Sequence, residues 1–350
     1  MAATVAQLDA FDEIVDARTP AEFATDHIPG ALNRPVLYDA ERARVGTLYA
    51  QVSAFEARKT GAALAARNIA GHIEESFHDK PRDWRPLVYC WRGGQRSGAM
   101  VTVLRAVGWK AEQLEGGYKA FRRQVIRDLE TLPGRFRYHV VCGPTGSGKS
   151  ELLRALRRQG AQVLDLEEIA AHRGSVLGAY PATPQPGQKH FETRLWEILR
   201  RLDPSRPLFV EAESRRIGNL RAPQALMDAM RASPCLRLDV PLGARIAHLE
   251  RDYRHYLDAP ETLCAQLERL IILHGHETVK HWQTLARQGG WDVLVEELLA
   301  RHYDPAYQRS SHANFPGLAM ATPLAVADIT PEEMDRVARP LALTEAQGNA

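Results

Sequence analysis

The sequence predicts an α/β fold made of two successive parallel-sheet domains, the second extended by helices. Over the first 130 residues, short apolar strand-like runs alternate with helical patterns, the arrangement that places helices on the faces of a parallel sheet. Two strand–loop–helix units, one centred on Cys90 and one on Gly143–Ser150, each lead an apolar strand into a glycine-containing loop and a helix start. From about Ala244 to Ala300 the pattern turns mostly helical.

Taken in order, Ile14-Val15 reads as a short strand running into Asp16-Ala-Arg18, and Ala54–Ile69 as an Ala-rich helix. Leu87–Tyr89 is a buried strand feeding Cys90, and Gly98–Val107 the helix that leaves the loop. Glu130-Thr-Leu-Pro-Gly134 reads as a linker, because Pro and Gly punctuate regular structure, and it divides residues 1–130 from residues 136–350. Beyond it come a strand at Phe136–Val141 and a helix at Ser150–Arg158. Further strands are expected at Gln162–Leu166, Pro207–Glu211, Leu236–Val240 and Leu324–Ile329. A polar helix and a Gln-Gly-Asn-Ala tail, expected to fray, end the chain.

With 350 residues there is room for two cores of ordinary size, and 45% hydrophobic against 25% charged residues is the balance of a globular protein. No apolar run approaches the roughly 18 residues of a membrane span. The start, MAATVAQLDAFDEIVDART, has acidic residues where a secretory signal needs a basic one, so a cytoplasmic location is expected. Cys90, Cys142, Cys235 and Cys264 are far apart and fit no metal-ligand spacing; free thiols and no structural metal are expected. The net charge of +2 conceals arginine clusters at Arg122-Arg123, Arg154 with Arg157-Arg158, Arg200-Arg201 and Arg215-Arg216. They admit a nucleic-acid partner without demanding one, since solvated helix faces look the same.

The segment Val88-Tyr-Cys90-Trp-Arg92-Gly-Gly-Gln-Arg96-Ser97-Gly98 carries chemistry. A cysteine between a strand end and a helix start sits in a ring of backbone N–H groups, which stabilise a thiolate and an anion beside it. Arg92 and Arg96 add guanidinium forks for a tetrahedral oxyanion. The bland alternative is a buried cysteine that merely packs.

This loop resembles the active-site loop of rhodanese sulfurtransferases. Asp16-Ala-Arg18-Thr-Pro-Ala-Glu22-Phe23 with His27-Ile-Pro29-Gly30-Ala31 is similar to that family's amino-terminal signature, and Leu114-Glu-Gly116-Gly117-Tyr-Lys-Ala-Phe121 to its closing segment. The resemblance covers roughly residues 1–128 and implies that Cys90 carries a persulfide or perselenide, or attacks a chalcogen donor. Six-residue loops of the family place the arginine one position nearer the cysteine than Arg96 lies here. The longer ring resembles that of rhodanese-fold phosphatases and suits an oxyanion larger than thiosulfate. Phosphatase activity stays open on loop length.

Gly143-Pro-Thr145-Gly146-Ser147-Gly148-Lys149-Ser150 fits the Walker A pattern and has the strand before it and the helix after it that the pattern requires. Its N–H groups would cradle phosphates at a helix amino terminus, Lys149 would neutralise them, and Ser150 would offer its hydroxyl to Mg2+. Any diphosphate satisfies the same donors, so ATP is not implied. Glu211 and Glu213 end a strand where such a fold needs an acidic residue, with Arg215 and Arg216 beside them as partners for a second anionic group. Asp165-Leu-Glu167 followed by His172-Arg173-Gly174-Ser175 reads as a substrate loop or an ordinary connection.

Cys-Trp-Arg-Gly-Gly, His-Arg-Gly-Ser and Glu-Ser-Arg-Arg-Ile-Gly in one chain resemble the tRNA 2-selenouridine synthase family from Asp12 to about Tyr303. The family's acidic segment usually reads Glu-Asp-Glu; Glu211-Ala212-Glu213 lacks the middle carboxylate. The resemblance implies a rhodanese-like parallel-sheet domain followed by a P-loop NTPase-like α/β domain with a helical carboxy-terminal part. It implies a transferase that replaces sulfur by selenium at wobble 2-thiouridine of tRNA. The sulfur is first geranylated with geranyl diphosphate, then displaced using selenophosphate. These are co-substrates, with no tightly bound cofactor, and a selenophosphate-supplying enzyme is a partner. Under this reading Cys90 handles selenium, Arg92 and Arg96 clamp its anion, and Lys149 holds the diphosphate.

Phe191, Leu195, Trp196 and Leu199 form an apolar stripe that is either core or a slot for the geranyl chain. Arg251, Arg254, His255, Lys280, His281, Trp282 and Arg287 mix bases with aromatics and are either a tRNA surface or a solvated face. A P-loop kinase or NTPase with a regulatory rhodanese module, a rhodanese-fold phosphatase using the long Cys90 loop and a non-enzymatic RNA-binding module are the rival readings.

Overall fold

The computed structural model describes residues 3–180 and 183–347, so the Gly348-Asn-Ala350 end expected to fray lies outside the described residues. The chain splits into two compact units, Met1–Asp128 with Gly187–Glu197, and Leu129–Pro186 with Ile198–Ala350.

In the first unit β1 (Glu13–Asp16), β2 (Leu32–Asn33), β3 (Pro86–Tyr89) and β4 (Glu112–Gln113) form a sheet in the order β2-β1-β3-β4. All pairs are parallel, with Val15 opposite Val88 and Asp16 opposite Tyr89. The helices are α1 (Pro20–Thr25), α2 (Asp39–Gln51), α3 (Ala54–His72), α4 (Gln95–Val107) and α5 (Gly117–Thr131). Every residue of β3 is buried, as expected of a central parallel strand. Its core contains Val15, Val88, Met100, Leu104 and a Phe77–Trp84–Trp109 aromatic cluster.

The signature residues prove structural. Asp16 binds Arg18 at 2.6 Å, both almost fully buried, and Tyr89 donates its hydroxyl to the same carboxylate at 2.7 Å. Thr19 and Glu22 form a capping box on α1: the Glu22 N–H donates to Thr19 Oγ1 at 3.3 Å and the Thr19 N–H to Glu22 Oε2 at 3.1 Å.

In the second unit the strands are β5 (Tyr138–Cys142), β6 (Gln162–Leu164), β7 (Leu208–Glu211), a β8–β9 hairpin (Arg216–Ile217, Leu220–Arg221), β10 (Cys235–Asp239) and β11 (Thr322–Ala325). The main sheet, β11-β10-β5-β7-β6, is parallel throughout. Strand order reverses around β5, which puts the crevice of a doubly wound sheet at that strand's carboxyl end. The helices are α6 (Lys149–Arg158), α7 (Leu166–Ala170), α8 (Gln188–Arg201, which belongs to the first unit up to Glu197), α9 (Gln224–Arg231), α10 (Leu242–Asp252), α11 (Arg254–Leu257), α12 (Pro260–Leu267), α13 (Ile271–Gln288), α14 (Trp291–Leu298), α15 (Asp304–Asn314) and α16 (Pro331–Gln347). The sheet core and α6 pack with Val326, Ile329 and Met334; a separate cluster around Trp282, Leu267 and Leu294 holds the helical part. No helix among the described residues is long and apolar enough to cross a membrane.

Three expected elements differ. The α4 helix begins at Gln95, not Gly98, which brings Ser97 into its first turn. The expected linker is not irregular: α5 continues to Thr131 and a 3-10 turn follows at Pro133–Arg135, with Pro133 at the position where a missing N–H costs nothing. Buried Pro133 also accepts the Tyr138 hydroxyl at 3.0 Å, which fixes the entry to β5. The last strand stops at Ala325, and buried Val326 and Ile329 turn into the core instead.

Candidate functional site

The Cys90 site is assembled by β3, the following loop and α4. Gly93 (φ +68°) needs the left-handed region, and a Cβ there would lie 2.8 Å from the Leu114 carbonyl oxygen. Gly117 in the closing segment is tighter still: a Cβ would sit 2.3 Å from the Cys90 carbonyl oxygen. These contacts hold the cysteine at the mouth of the loop, 4% exposed. Its sulfur accepts the Gly94 N–H at 3.3 Å and the Ser97 hydroxyl at 3.1 Å. Gln113 Nε2 donates to Ser97 Oγ at 2.8 Å and to the Gly94 carbonyl at 3.1 Å, holding that hydroxyl in place. Burial alone would raise the thiol's pKa; the Ser97 hydroxyl and the N–H groups of Ser97, Gly94 and Arg92 overcome it and bring it below the ordinary value. Such donors stabilise the thiolate form of the sulfur.

The two arginines behave differently. Arg92 is exposed at the rim. Arg96 is held by Glu22 at 2.6 Å, so in this state its guanidinium braces the loop against α1. Ser97 and Gln113 were not read from the sequence as part of the site. A hydroxyl in the first helical turn after the loop was the available signal for Ser97, whereas Gln113 arrives from β4.

The phosphate loop joins β5 to α6. Gly146 (φ +78°) and Gly148 (φ +77°) are left-handed, and a Cβ on Gly148 would meet Met334 at 2.7 Å. Lys149 Nζ donates to the Gly143 carbonyl at 3.0 Å and Ser150 Oγ to Glu167 Oε2 at 2.9 Å. Arg245, buried, donates through Nε and Nη2 to the Thr145 carbonyl at 3.0 and 2.8 Å while paired with Asp304 at 2.6 Å, so the loop is clamped from outside. Thr145, Ser147, Lys149 and Ser150 line a cleft of about 450 Å³.

Register places Val141 opposite Glu211, which carries the acidic strand end to the loop. Glu211 is fully buried; its Oε1 accepts the Glu167 N–H at 2.8 Å and its Oε2 has no hydrogen-bond partner among the described residues. Glu213, not Glu211, lines the cleft, beside Glu167. Asp165 lies outside it and caps α7 by accepting the Glu168 N–H at 2.8 Å. His172 likewise shapes its loop, accepting the Gly174 N–H at 3.1 Å. Arg173 lines the cleft, sandwiched between the rings of Tyr180 and Tyr253 at 4.4 and 4.5 Å and anchored by Asp252 at 2.9 Å, with its buried Nη1 unpartnered among the described residues. Arg215 and Arg216 are exposed on the hairpin segment and do not line the cleft.

These carboxylates repel one another. Burial first, and the Glu167 charge second, push Glu213 up to about 8; burial pushes Asp165 up to about 6. The folded chain therefore binds more protons than the unfolded one between the ordinary carboxylate range and pH 8, and stability falls as pH rises through that window. Glu213→Gln should raise the thermal-unfolding midpoint by about 2–4 °C or more above pH 8, and the gain should vanish in acid; calorimetry across pH checks this.

The same crowding favours a cation. No group of three or more His, Cys, Asp or Glu side chains among the described residues is arranged to hold a metal unaided. Mg2+ fits Ser150 and Glu167 if substrate phosphates complete its shell.

A second cavity is apolar and shares Thr145, Ser175, Leu249, Tyr253 and Tyr303 with the cleft; Leu263, Leu294 and Leu298 continue its wall. The expected slot residues lie elsewhere. Phe191, Leu195, Trp196 and Leu199 are at most 3% exposed, and Trp196 donates its indole N–H to Asp128 at 2.7 Å, so the stripe is core. The expected tRNA surface loses its aromatic member, because Trp282 is fully buried with its indole N–H on Glu297 at 2.9 Å. Arg287 pairs with Glu261, Arg251 donates to the Ile329 carbonyl and His281 meets Glu297, while Arg254 and Lys280 are exposed and His255 is half-buried.

Comparison with known proteins assigns residues 2–124 to the rhodanese-like domain and residues 136–269 to the tRNA 2-selenouridine synthase AAA domain. A tRNA 2-selenouridine synthase of Bdellovibrio bacteriovorus is 38% identical over 253 residues, covering 69% of this chain and 64% of the relative. One of Hahella chejuensis is 35% identical over 315 residues, covering 85% and 80%, and one of Sulfurovum is 30% identical over 333 residues, covering 86% and 89%. The chain thus spans under two thirds of the length of the Bdellovibrio relative it matches.

Proposed function

The chain belongs to the tRNA 2-selenouridine synthase family, and from that premise we propose that it replaces the sulfur of wobble 2-thiouridine in tRNA by selenium. In this reading geranyl diphosphate first alkylates the sulfur, and selenophosphate then supplies selenium as the geranyl thiol departs. The observation that carries it is a shared wall between two cavities, one lined by the phosphate loop and charged side chains and the other almost wholly apolar. The phosphate cradle lines a cleft that also carries charged side chains, and an apolar cavity shares five residues with that cleft. A diphosphate joined to a hydrocarbon chain matches this pairing.

The roles follow from polarity. Loop N–H groups and Lys149 take the diphosphate, Arg173 adds positive charge to the wall of the same cleft, and Tyr253 and Leu249 start the hydrocarbon wall. When bound, Mg2+ would neutralise charge developing on the leaving diphosphate, held by Ser150 and Glu167. Cys90, with its donor ring, is the selenium-handling nucleophile, and Arg92 is the rim cation free to meet selenophosphate.

The test is direct. The protein is incubated with thiolated tRNA, geranyl diphosphate and selenophosphate, and nucleosides are analysed by mass spectrometry. 2-Selenouridine should form, and S-geranyl-2-thiouridine should form when selenophosphate is withheld. RNA-independent ATP turnover without either product would favour the kinase reading and end this one.

A further inference from the structure

Alkylating the sulfur of 2-thiouracil carries a proton obligation. A sulfur lone pair forms the S–C1 bond, and the C1–O bond breaks with its electron pair leaving on the diphosphate. The C2=S bond becomes C2–S as C2=N3 forms from the N3–H electron pair, and the N3 proton must go to a base. Neither Lys149 nor Ser150 is suited to receive it, and Glu213 touches the carboxylate assigned above to the cation.

An imidazole pair lies at the same cleft. His302, which lines it, is carried on a π-helical turn (Leu299–Tyr303), a geometry frequent at functional sites. Its Nδ1 is 3.0 Å from Nε2 of His274 on α13. His274 immediately precedes Gly275, whose φ of +79° and ψ of 163° break the helix there. The pair is braced by Trp282, whose ring centroid is 5.1 Å from His274, and by Tyr303, 4.8 Å from His302. His302 is thereby distinguished from His248, which also lines the cleft, by the second imidazole at its back.

We propose that His302 is the general base that takes the N3 proton of the thiouracil ring during S-geranylation, with His274 accepting the Nδ1 proton of His302 in return. This rests on the geranylation step proposed above. The relay uses the tautomer in which His302 Nδ1 carries hydrogen and Nε2 presents its lone pair. The charged neighbours keep the pair in the neutral form from which a base starts: Arg309 on α15 acts on His302 and Arg301 on His274. Burial is the larger influence on both rings and, with those arginines, lowers their pKa values, so both stay uncharged at neutral pH. Glu297, the nearby carboxylate, is engaged by His281, Trp282 and Arg301.

The test is single-turnover geranylation of thiolated tRNA by the full chain as a function of pH, with geranyl diphosphate binding measured alongside. His302→Gln should lose about 10²-fold or more in rate near neutrality with unchanged geranyl diphosphate affinity. The deficit should close at alkaline pH, where N3 of thiouracil ionises unaided. His274→Gln should show a smaller loss with the same pH signature, and it carries the test if His302→Gln no longer binds geranyl diphosphate. Parental rates in both variants, or a deficit constant with pH, would overturn the assignment of the base. Failure of the parent protein to geranylate at any pH would instead overturn the reading on which it rests.

Discussion

Cys90→Ala protein given thiolated tRNA, geranyl diphosphate and selenophosphate should accumulate S-geranylated RNA and form at least about 10³-fold less 2-selenouridine than the parent. The size of the effect follows from what surrounds the sulfur. A 4%-exposed cysteine in an apolar core would ordinarily be inert. Here its sulfur accepts from the Ser97 hydroxyl and the Gly94 N–H, and those donors outweigh the cost of burial. Alanine leaves the donors without an anion and removes the nucleophile. Cys90→Ser keeps a hydrogen-bonding group of similar size but replaces a thiol, which the loop donors make more acidic, by a far less acidic hydroxyl, so it should fail equally. Full selenium incorporation by either variant, measured on digested RNA by mass spectrometry, would remove Cys90 from the mechanism.

The fold class was legible because its signals are local. Apolar runs ending in glycine-rich loops mark strands that feed Cys90 and Gly143–Ser150, and both sheets are parallel as alternation requires. Local conformation and burial at such segments depend on tertiary contacts. Pro and Gly at Glu130–Gly134 suggest a linker, yet Pro133 is buried and bonded to Tyr138, so packing regularises the segment. Periodicity marked Phe191, Leu195, Trp196 and Leu199 as one face but could not say that the face is sealed in core. The apolar cavity draws its walls from α10, α12 and α14, and no single window of sequence contains it. His274 and His302 are likewise two of thirteen histidines until a glycine break and a π-helical turn bring them together. Gln113 reaches Ser97 only because β4 pairs with β3.

Lys149→Ala should lower geranylation by about 10²–10³-fold, the range expected when one partner of a desolvated charge pair is truncated. The lysine amine rests on the Gly143 carbonyl at 3.0 Å, so it is held at the cradle before any phosphate arrives. Arg245 clamps the Thr145 carbonyl independently of Lys149, and Gly146 and Gly148 set the loop's turns through backbone conformation alone. The variant should therefore keep the cradle's shape and lose its charge. Lys149→Arg should not restore it, because a planar guanidinium cannot occupy the point position of an ammonium inside a loop this tight. Supplying pre-geranylated tRNA separates the two sites: Lys149→Ala should then incorporate selenium at the parental rate, whereas Cys90→Ala should not. The comparison requires only nucleoside mass spectrometry after a timed reaction. If pre-geranylated tRNA fails to rescue Lys149→Ala, the phosphate loop also serves the selenium step, and the division of labour between Cys90 and Lys149 is wrong.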